Sequence, residues 1–164
     1  MYITEKYWGN YIGDTDDSLT LAEYLSENQR EEIPLQEIWS DFGLDKLNGN
    51  FRNPDFPLVY TNAEGWEFPI YYAIGLITDL AALLLECKVN GSICLSELLE
   101  DDSYDHSRRI RIMAEPKEQE TIHKILMDFT ADPLSYDLSE MDTEEHMKEM
   151  AAVCEALQNE LYES

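Results

Sequence analysis

The sequence predicts a single helix-rich α+β domain over residues 1–164, with a central apolar helix and a few short strands. The chain has the length of one ordinary domain, and 44% of its residues are hydrophobic, which is enough for a real core. Apolar residues recur at helical spacing in several segments. Short apolar or alternating runs between these segments indicate strands.

Two helices are expected in the first third of the chain. Thr20 and Glu23 fit a capping box, which predicts a helix over residues 20–29. Apolar residues at helical spacing predict a second short helix over residues 35–42, with Gly43 as its terminator.

A strand pair should follow these helices. Residues 48–57 are rich in Asn, Pro, Gly and Asp and predict a loop. Residues 58–61 predict a strand that ends in a turn at 62–65, and Trp66 and Phe68 are candidates for its hairpin partner.

The central helix is predicted over residues 70–85, which are apolar on nearly every side, with Pro69 at its start. Asp79 lies within it, where an unpaired charge is costly, so we expect the carboxylate to have a partner. Two interpretations are open. Asp79 is a catalytic carboxylate with a perturbed pKa, or it fixes the helix against a loop through a hydrogen bond or ion pair.

Three further elements follow. Asn90-Gly91 predicts a tight reversal into a short hairpin at residues 93–95. Residues 109–113 alternate polar and apolar, which predicts a strand covered on one face. Residues 116–129 return to helical spacing.

The last helix, over residues 142–162, has the clearest periodicity. Its apolar stripe consists of Met147, Met150, Cys154, Leu157 and Leu161. An acidic ridge is expected on the opposite side, formed by Asp142, Glu145, Glu149, Glu160 and Glu163.

The charge of the chain excludes several function classes. Eleven Lys and Arg residues against 35 Asp and Glu give a net charge of −24. Direct nucleic-acid binding and attachment to anionic membranes both need basic residues, so neither is expected. A field of this sign instead attracts basic proteins.

Metal and cofactor sites are not expected. The acids of residues 14–18 resemble a calcium loop, but Leu19 and Leu25 stand where such a loop needs glycine and glutamate. These acids are better interpreted as the start of a helix. The histidines His106, His123 and His146 are scattered and form no zinc motif.

The cysteines and the N-terminal residues predict a cytoplasmic protein. Cys87, Cys94 and Cys154 are odd in number and lack CxxC spacing, so we expect free thiols, with Cys154 buried. The first residues contain no apolar stretch of the signal-peptide type, so export is not expected.

Aromatic residues favour binding over catalysis. Tyr and Trp combine an apolar ring with a polar tip and are common where surfaces meet partners. Tyr7, Trp8 and Tyr11 could supply such anchors, or they pack on the outside of the core.

Three segments carry a resemblance to a known class of protein. They are YWGNYIGDTDDSLTL at residues 7–21, EIW at 37–39 and DLAALLLE at 79–86. Over roughly residues 7–95 the chain resembles bacterial immunity proteins, the small inhibitors encoded beside polymorphic or contact-dependent growth-inhibition toxins. The resemblance implies binding of a cognate toxin domain, often a nuclease, whose active site or substrate groove is covered, and no catalytic residues follow from it.

The favoured hypothesis is therefore an immunity protein that covers the basic groove of its toxin with acidic groups. The predicted toxin-binding residues are Trp8, Tyr11, Asp14, Asp16, Asp17, Asp142, Glu145 and Glu149. The alternatives are a general nucleic-acid mimic of the anti-restriction type and a small hydrolase that uses Asp79 or a Cys-His pair.

Overall fold

Helices alternate with short strands along the chain, in a computed structural model that describes residues 1–100 and 108–162. The helices in these ranges are α1 (Tyr2–Lys6), α2 (Asp16–Glu27), α3 (Leu35–Asp41), α4 (Ala73–Asn90), α5 (Leu95–Leu98), α6 (Pro116–Ala131) and α7 (Glu144–Tyr162). The strands are β1 (Glu32–Pro34), β2 (Leu58–Thr61), β3 (Glu67–Ile70), β4 (Ile93–Cys94) and β5 (Arg109–Met113). Short 3₁₀ turns occur at Leu44–Leu47, Pro133–Ser135 and Asp137–Met141. The predicted helix-rich α+β class is confirmed.

The predicted central helix is α4, which begins and ends later than expected. All side chains from 76 to 86 are buried, because α1, α2, α6 and α7 pack around the helix. Pro69 does not begin it, since Pro69 and Ile70 belong to β3. Gly91 ends α4 in the left-handed conformation, with a φ of 83°.

The start of α2 corrects one prediction. The capping box at Thr20 and Glu23 is wrong: the N-cap is Thr15, whose hydroxyl oxygen accepts from the backbone N–H of Ser18 at 3.1 Å. Thr20 lies inside the helix, where its hydroxyl donates to a carbonyl one turn earlier. The helix interpretation of the acids before it is confirmed, and α2 ends at Glu27.

Two small sheets complete the fold. β1 runs parallel to β5, with Ile33 opposite Ile112, and β4 runs antiparallel to β5, with Ile93 opposite Ile110. All four isoleucines are buried. The hairpin predicted after residues 90–91 is therefore wrong, because β4 pairs with β5 and follows directly on α4.

The predicted strand pair near residue 60 is confirmed. β2 and β3 form a two-stranded antiparallel sheet in which Tyr60 lies opposite Phe68, while Trp66 precedes β3. The ring of Tyr60 stacks on Phe42 with centroids 4.9 Å apart, which fixes the pair against α3.

The apolar stripe of α7 is buried as predicted, and it packs against α4 and α6. Cys87 and Cys154 are free thiols, and both Cys94 and Cys154 are buried, the latter fully. Among the helices of the described ranges, none is long and apolar enough to cross a bilayer. Residues 1–100 and 108–162 contain no group of three His, Cys, Asp or Glu residues placed to hold a metal ion, and His106 lies outside these ranges.

Candidate protein-interaction surface

The segment between α1 and α2 turns sharply and holds two of the predicted anchors. Gly9, Tyr11 and Gly13 all have positive φ angles, of 92°, 67° and 80°. The amide of Gly9 donates to the carbonyl of Ile12 at 2.6 Å, which closes the turn. The ring of Trp8 lies directly on Gly13, where a Cβ would be only 2.3 Å from a ring carbon. Glycine is therefore required at position 13 for both reasons.

Asp79 holds this segment against α4. Its Oδ1 accepts from the backbone N–H of Gly13 at 3.0 Å, and its Oδ2 accepts from the hydroxyl of Ser18 at 2.7 Å. Burial raises the pKa of the Asp79 carboxyl to about 7, against the opposing effect of these two hydrogen bonds.

These contacts decide between the two interpretations of Asp79. The side chain is 1% exposed and both of its oxygens are occupied, so it fixes the helix against a loop. The adjoining cavity, of about 80 Å³, is well below the roughly 300 Å³ at which small-molecule sites begin. A hydrolase that uses Asp79 is therefore disfavoured, and Cys154 is fully buried and closed to substrate.

Tyr11 brings together predicted residues that are far apart in sequence. Its hydroxyl donates to the carboxylate of Glu149, and this hydrogen bond raises the pKa of Tyr11. Its ring packs on His146 with centroids 4.6 Å apart, and Nδ1 of His146 contacts the carboxylate of Asp142. Asp14 lines the same small cavity as Tyr11 and Asp142.

Asp17 is a correction to the predicted set. It is 3% exposed, and its carboxylate accepts from the backbone N–H groups of Tyr71 and Tyr72, each at 3.0 Å. Burial raises its pKa even though these hydrogen bonds oppose the shift. Asp17 therefore joins α2 to the end of β3 and is not available to a partner, whereas Asp14 and Asp16 are exposed.

The acidic ridge of α7 is shorter than predicted. Glu145 and Glu149 are exposed and line a shallow groove with Lys148. Glu160 instead accepts from the hydroxyls of Tyr2 and Tyr7 and contacts Lys6. Of the other predicted members, Asp142 precedes the helix and Glu163 lies outside the described residues.

The structure thus gathers five predicted residues near the first turns of α7 and the segment before α2. We call this set the acidic surface: Tyr11, Asp14, Asp142, Glu145 and Glu149. Asp16 is exposed at the first residue of α2. Trp8 and Asp14 line a second cavity of about 290 Å³ together with the exposed Leu19.

Sequence reasoning missed two exposed aromatic side chains. Trp66 is 66% exposed beside the turn of the strand pair, and Tyr71 is 59% exposed just after β3. The sequence pattern predicted Trp66 in a hairpin strand and Tyr71 in the central helix. Their exposure could not be read from the sequence, because an apolar ring in a strand or helix is usually buried.

The fold and this surface define an acidic α+β domain with exposed carboxylates beside half-exposed aromatic rings. The family model for Immunity protein 68 matches residues 2–161. The chain therefore belongs to the Immunity protein 68 family, which supports a toxin-neutralising role through binding of a cognate toxin. Neither a curated protein nor a solved structure matches the chain. The predicted resemblance to immunity proteins is confirmed and extends well beyond residue 95.

Proposed function

We propose that this immunity protein neutralises the toxin of a contact-dependent or related polymorphic toxin system, and that the toxin domain is a nuclease with a basic groove. In this proposal the acidic surface lies across that groove. The observation that carries it is the meeting of Tyr11, Asp142 and Glu149, predicted from separate parts of the chain, at one place.

Charge gives the proposal its mechanism. A nuclease must present Lys and Arg to the phosphates of its substrate. Exposed carboxylates of Asp14, Asp16 and Glu145 can take the place of those phosphates. The net charge of −24 also accelerates the encounter with a basic partner.

Aromatic side chains supply the short-range part of the contact. Tyr11 is half-exposed and held in place by Glu149 and His146, so little rotamer freedom is lost when it binds. Trp8 is held against Gly13 and is also half-exposed. Rigid aromatic residues surrounded by polar groups are typical binding hot spots.

The test uses the toxin domain encoded beside this chain and matched variants on α7. We expect Tyr11→Ala to weaken binding by about tenfold or more, and Glu145→Gln with Glu149→Gln to slow association. Glu155→Gln is the control, because Glu155 is exposed on another face of the same helix. Interferometry gives both rate constants, and cell survival during toxin expression gives the biological readout. If the control Glu155→Gln weakened binding as much as Tyr11→Ala and the double glutamine variant, the acidic surface would not be the contact surface.

The nuclease part has its own test. The purified toxin domain should degrade DNA or RNA, and an equimolar amount of the immunity protein should stop it. Inhibited toxicity without any nucleic-acid cleavage would retain the immunity role and exclude the nuclease.

Breadth of binding distinguishes this proposal from a general nucleic-acid mimic. We expect the chain to bind its own toxin domain and to leave unrelated basic proteins, such as lysozyme or histones, unbound at physiological salt. Comparable affinity for all of them would favour the mimic.

A further inference from the structure

A third cavity, also of about 290 Å³, lies between α4, β5, α6 and the end of α7, away from the acidic surface and from the cavity beside Trp8. The chain has 35 acidic residues, yet the described residues that line this cavity include none of them. Two basic residues, Lys88 and Arg111, do line it. In a protein of net charge −24, such a site stands out as suited to an anion.

The two cations are not neutralised by carboxylates in the described part of the chain. Arg111 is exposed, and its guanidinium forms no hydrogen bond or ion pair with residues 1–100 or 108–162. Nζ of Lys88 donates to the carbonyls of Glu160 and Leu161, both at 2.9 Å. An ammonium group has three donors, so one remains for a ligand.

Two residues that line this cavity each have a buried polar atom without a partner. Oε1 of Gln119 and the hydroxyl of Tyr162 are buried from solvent and make no hydrogen bond with residues 1–100 or 108–162. Such atoms are uncommon in folded proteins, because losing water without gaining a partner costs free energy. A ligand that supplies a donor and an acceptor would satisfy both.

We propose that this cavity binds a small organic carboxylate. Its carboxylate lies between Arg111 and Lys88, its apolar body packs on Leu84, Ile112 and Leu161, and a polar group reaches Gln119 or Tyr162. The volume is at the small end of ligand sites, which fits a molecule of amino-acid size.

Glu32 is an acidic neighbour of Arg111 that would compete with a bound carboxylate. It lies opposite Arg111 in the register of β1 and β5, and both side chains are exposed. It forms no ion pair with Arg111 within 4 Å, yet its charge opposes the arrival of another carboxylate.

The probe is sodium 4-methylpentanoate, titrated into the full chain and followed through backbone amide shifts, with 4-methylpentanamide as the neutral analogue. We expect shifts at Ile112, Met113 and Gln119 with the carboxylate and much weaker ones with the amide. Arg111→Gln should lower the affinity about tenfold or more, because it removes a charge-assisted hydrogen bond, while Glu32→Gln should raise it.

The matched control is Arg109→Gln. Arg109 is exposed on the same face of β5 but donates to Ser92 and does not line the cavity. Its variant should bind the probe as the original chain does. No shifts with the carboxylate, or equal losses in the two arginine variants, would overturn the proposal. Addition of the toxin domain then distinguishes two sources of the natural carboxylate. Displacement of the probe by the toxin domain indicates a carboxylate that the toxin presents. Binding of the probe and the toxin domain together indicates a free small molecule.

Discussion

At the scale of single residues, Asp79 has the clearest physical role. A carboxylate in an apolar helix is costly, and here hydrogen bonds from Gly13 and Ser18 offset only part of the cost, so the pKa stays raised. The sequence predicted that Asp79 needs a partner. It could not predict which one, because Ser18 is 61 positions away and the contact exists only once α2 and α4 pack.

Asp79 should make stability depend on pH. Its pKa is about 7 in the folded chain against 3.8 for the ordinary group, so the folded state holds the extra proton between these values. Stability therefore falls as pH rises through this window, by up to about 1.4 kcal/mol per pH unit. The nearby carboxylates Asp14 and Asp17 act in the same direction.

The test compares Asp79→Asn with the original chain in urea unfolding at pH 5, 6, 7 and 8. We expect the free energy of unfolding of the variant, relative to that of the original chain, to increase as pH rises. Asp16→Asn, at an exposed position, serves as the control and should show no such trend. Parallel pH profiles for Asp79→Asn and the original chain would contradict this account.

Gly13 allows a second test at this scale. Gly13→Ala should destabilise the fold by about 2–4 kcal/mol, because the new Cβ meets the ring of Trp8 and the residue keeps a positive φ. Gly9→Ala is matched in φ but has no atom within 4 Å of the new Cβ, so we expect only about 1 kcal/mol. Urea unfolding measures both, and equal losses would show that the ring contact contributes little.

At the scale of elements, the accuracy of a sequence-based prediction depends on the length of the helix or strand and on how much of it is buried. α4 and α7 were predicted because eighteen or more residues repeat a pattern. α1 and β1 have five and three residues, too few for a period, and were not predicted. The capping box was misplaced because Thr15 and Thr20 both precede a suitable partner by three residues.

α1 is held by long-range contacts, which gives a prediction for this element. The carboxylate of Glu160 on α7 accepts from Tyr2 and Tyr7, so Glu160→Ala should cost about 1–2 kcal/mol of stability and lower hydrogen-exchange protection in α1. Glu155→Ala removes an exposed acid from the same helix and should change stability by less than about 0.5 kcal/mol. Unchanged protection of α1 in Glu160→Ala would show that these contacts do not hold it.

At the scale of the whole molecule, the acidic residues serve two different purposes. Some of them hold elements of the fold together through hydrogen bonds, such as Asp17, Asp79 and Glu160. The carboxylates that remain exposed give the molecule its field. Composition predicted that field, but only the fold shows that Tyr11 and Glu149, 138 positions apart, meet at the same place.

The central claim, that exposed carboxylates direct this immunity protein to a basic toxin, is tested most directly by the association rate at different salt concentrations. Stopped-flow mixing with the cognate toxin domain should give a rate constant that falls by about tenfold or more between 20 and 500 mM NaCl, because salt screens the field. Glu145→Gln with Glu149→Gln should reduce that dependence. An association rate that is the same at both salt concentrations would contradict the account.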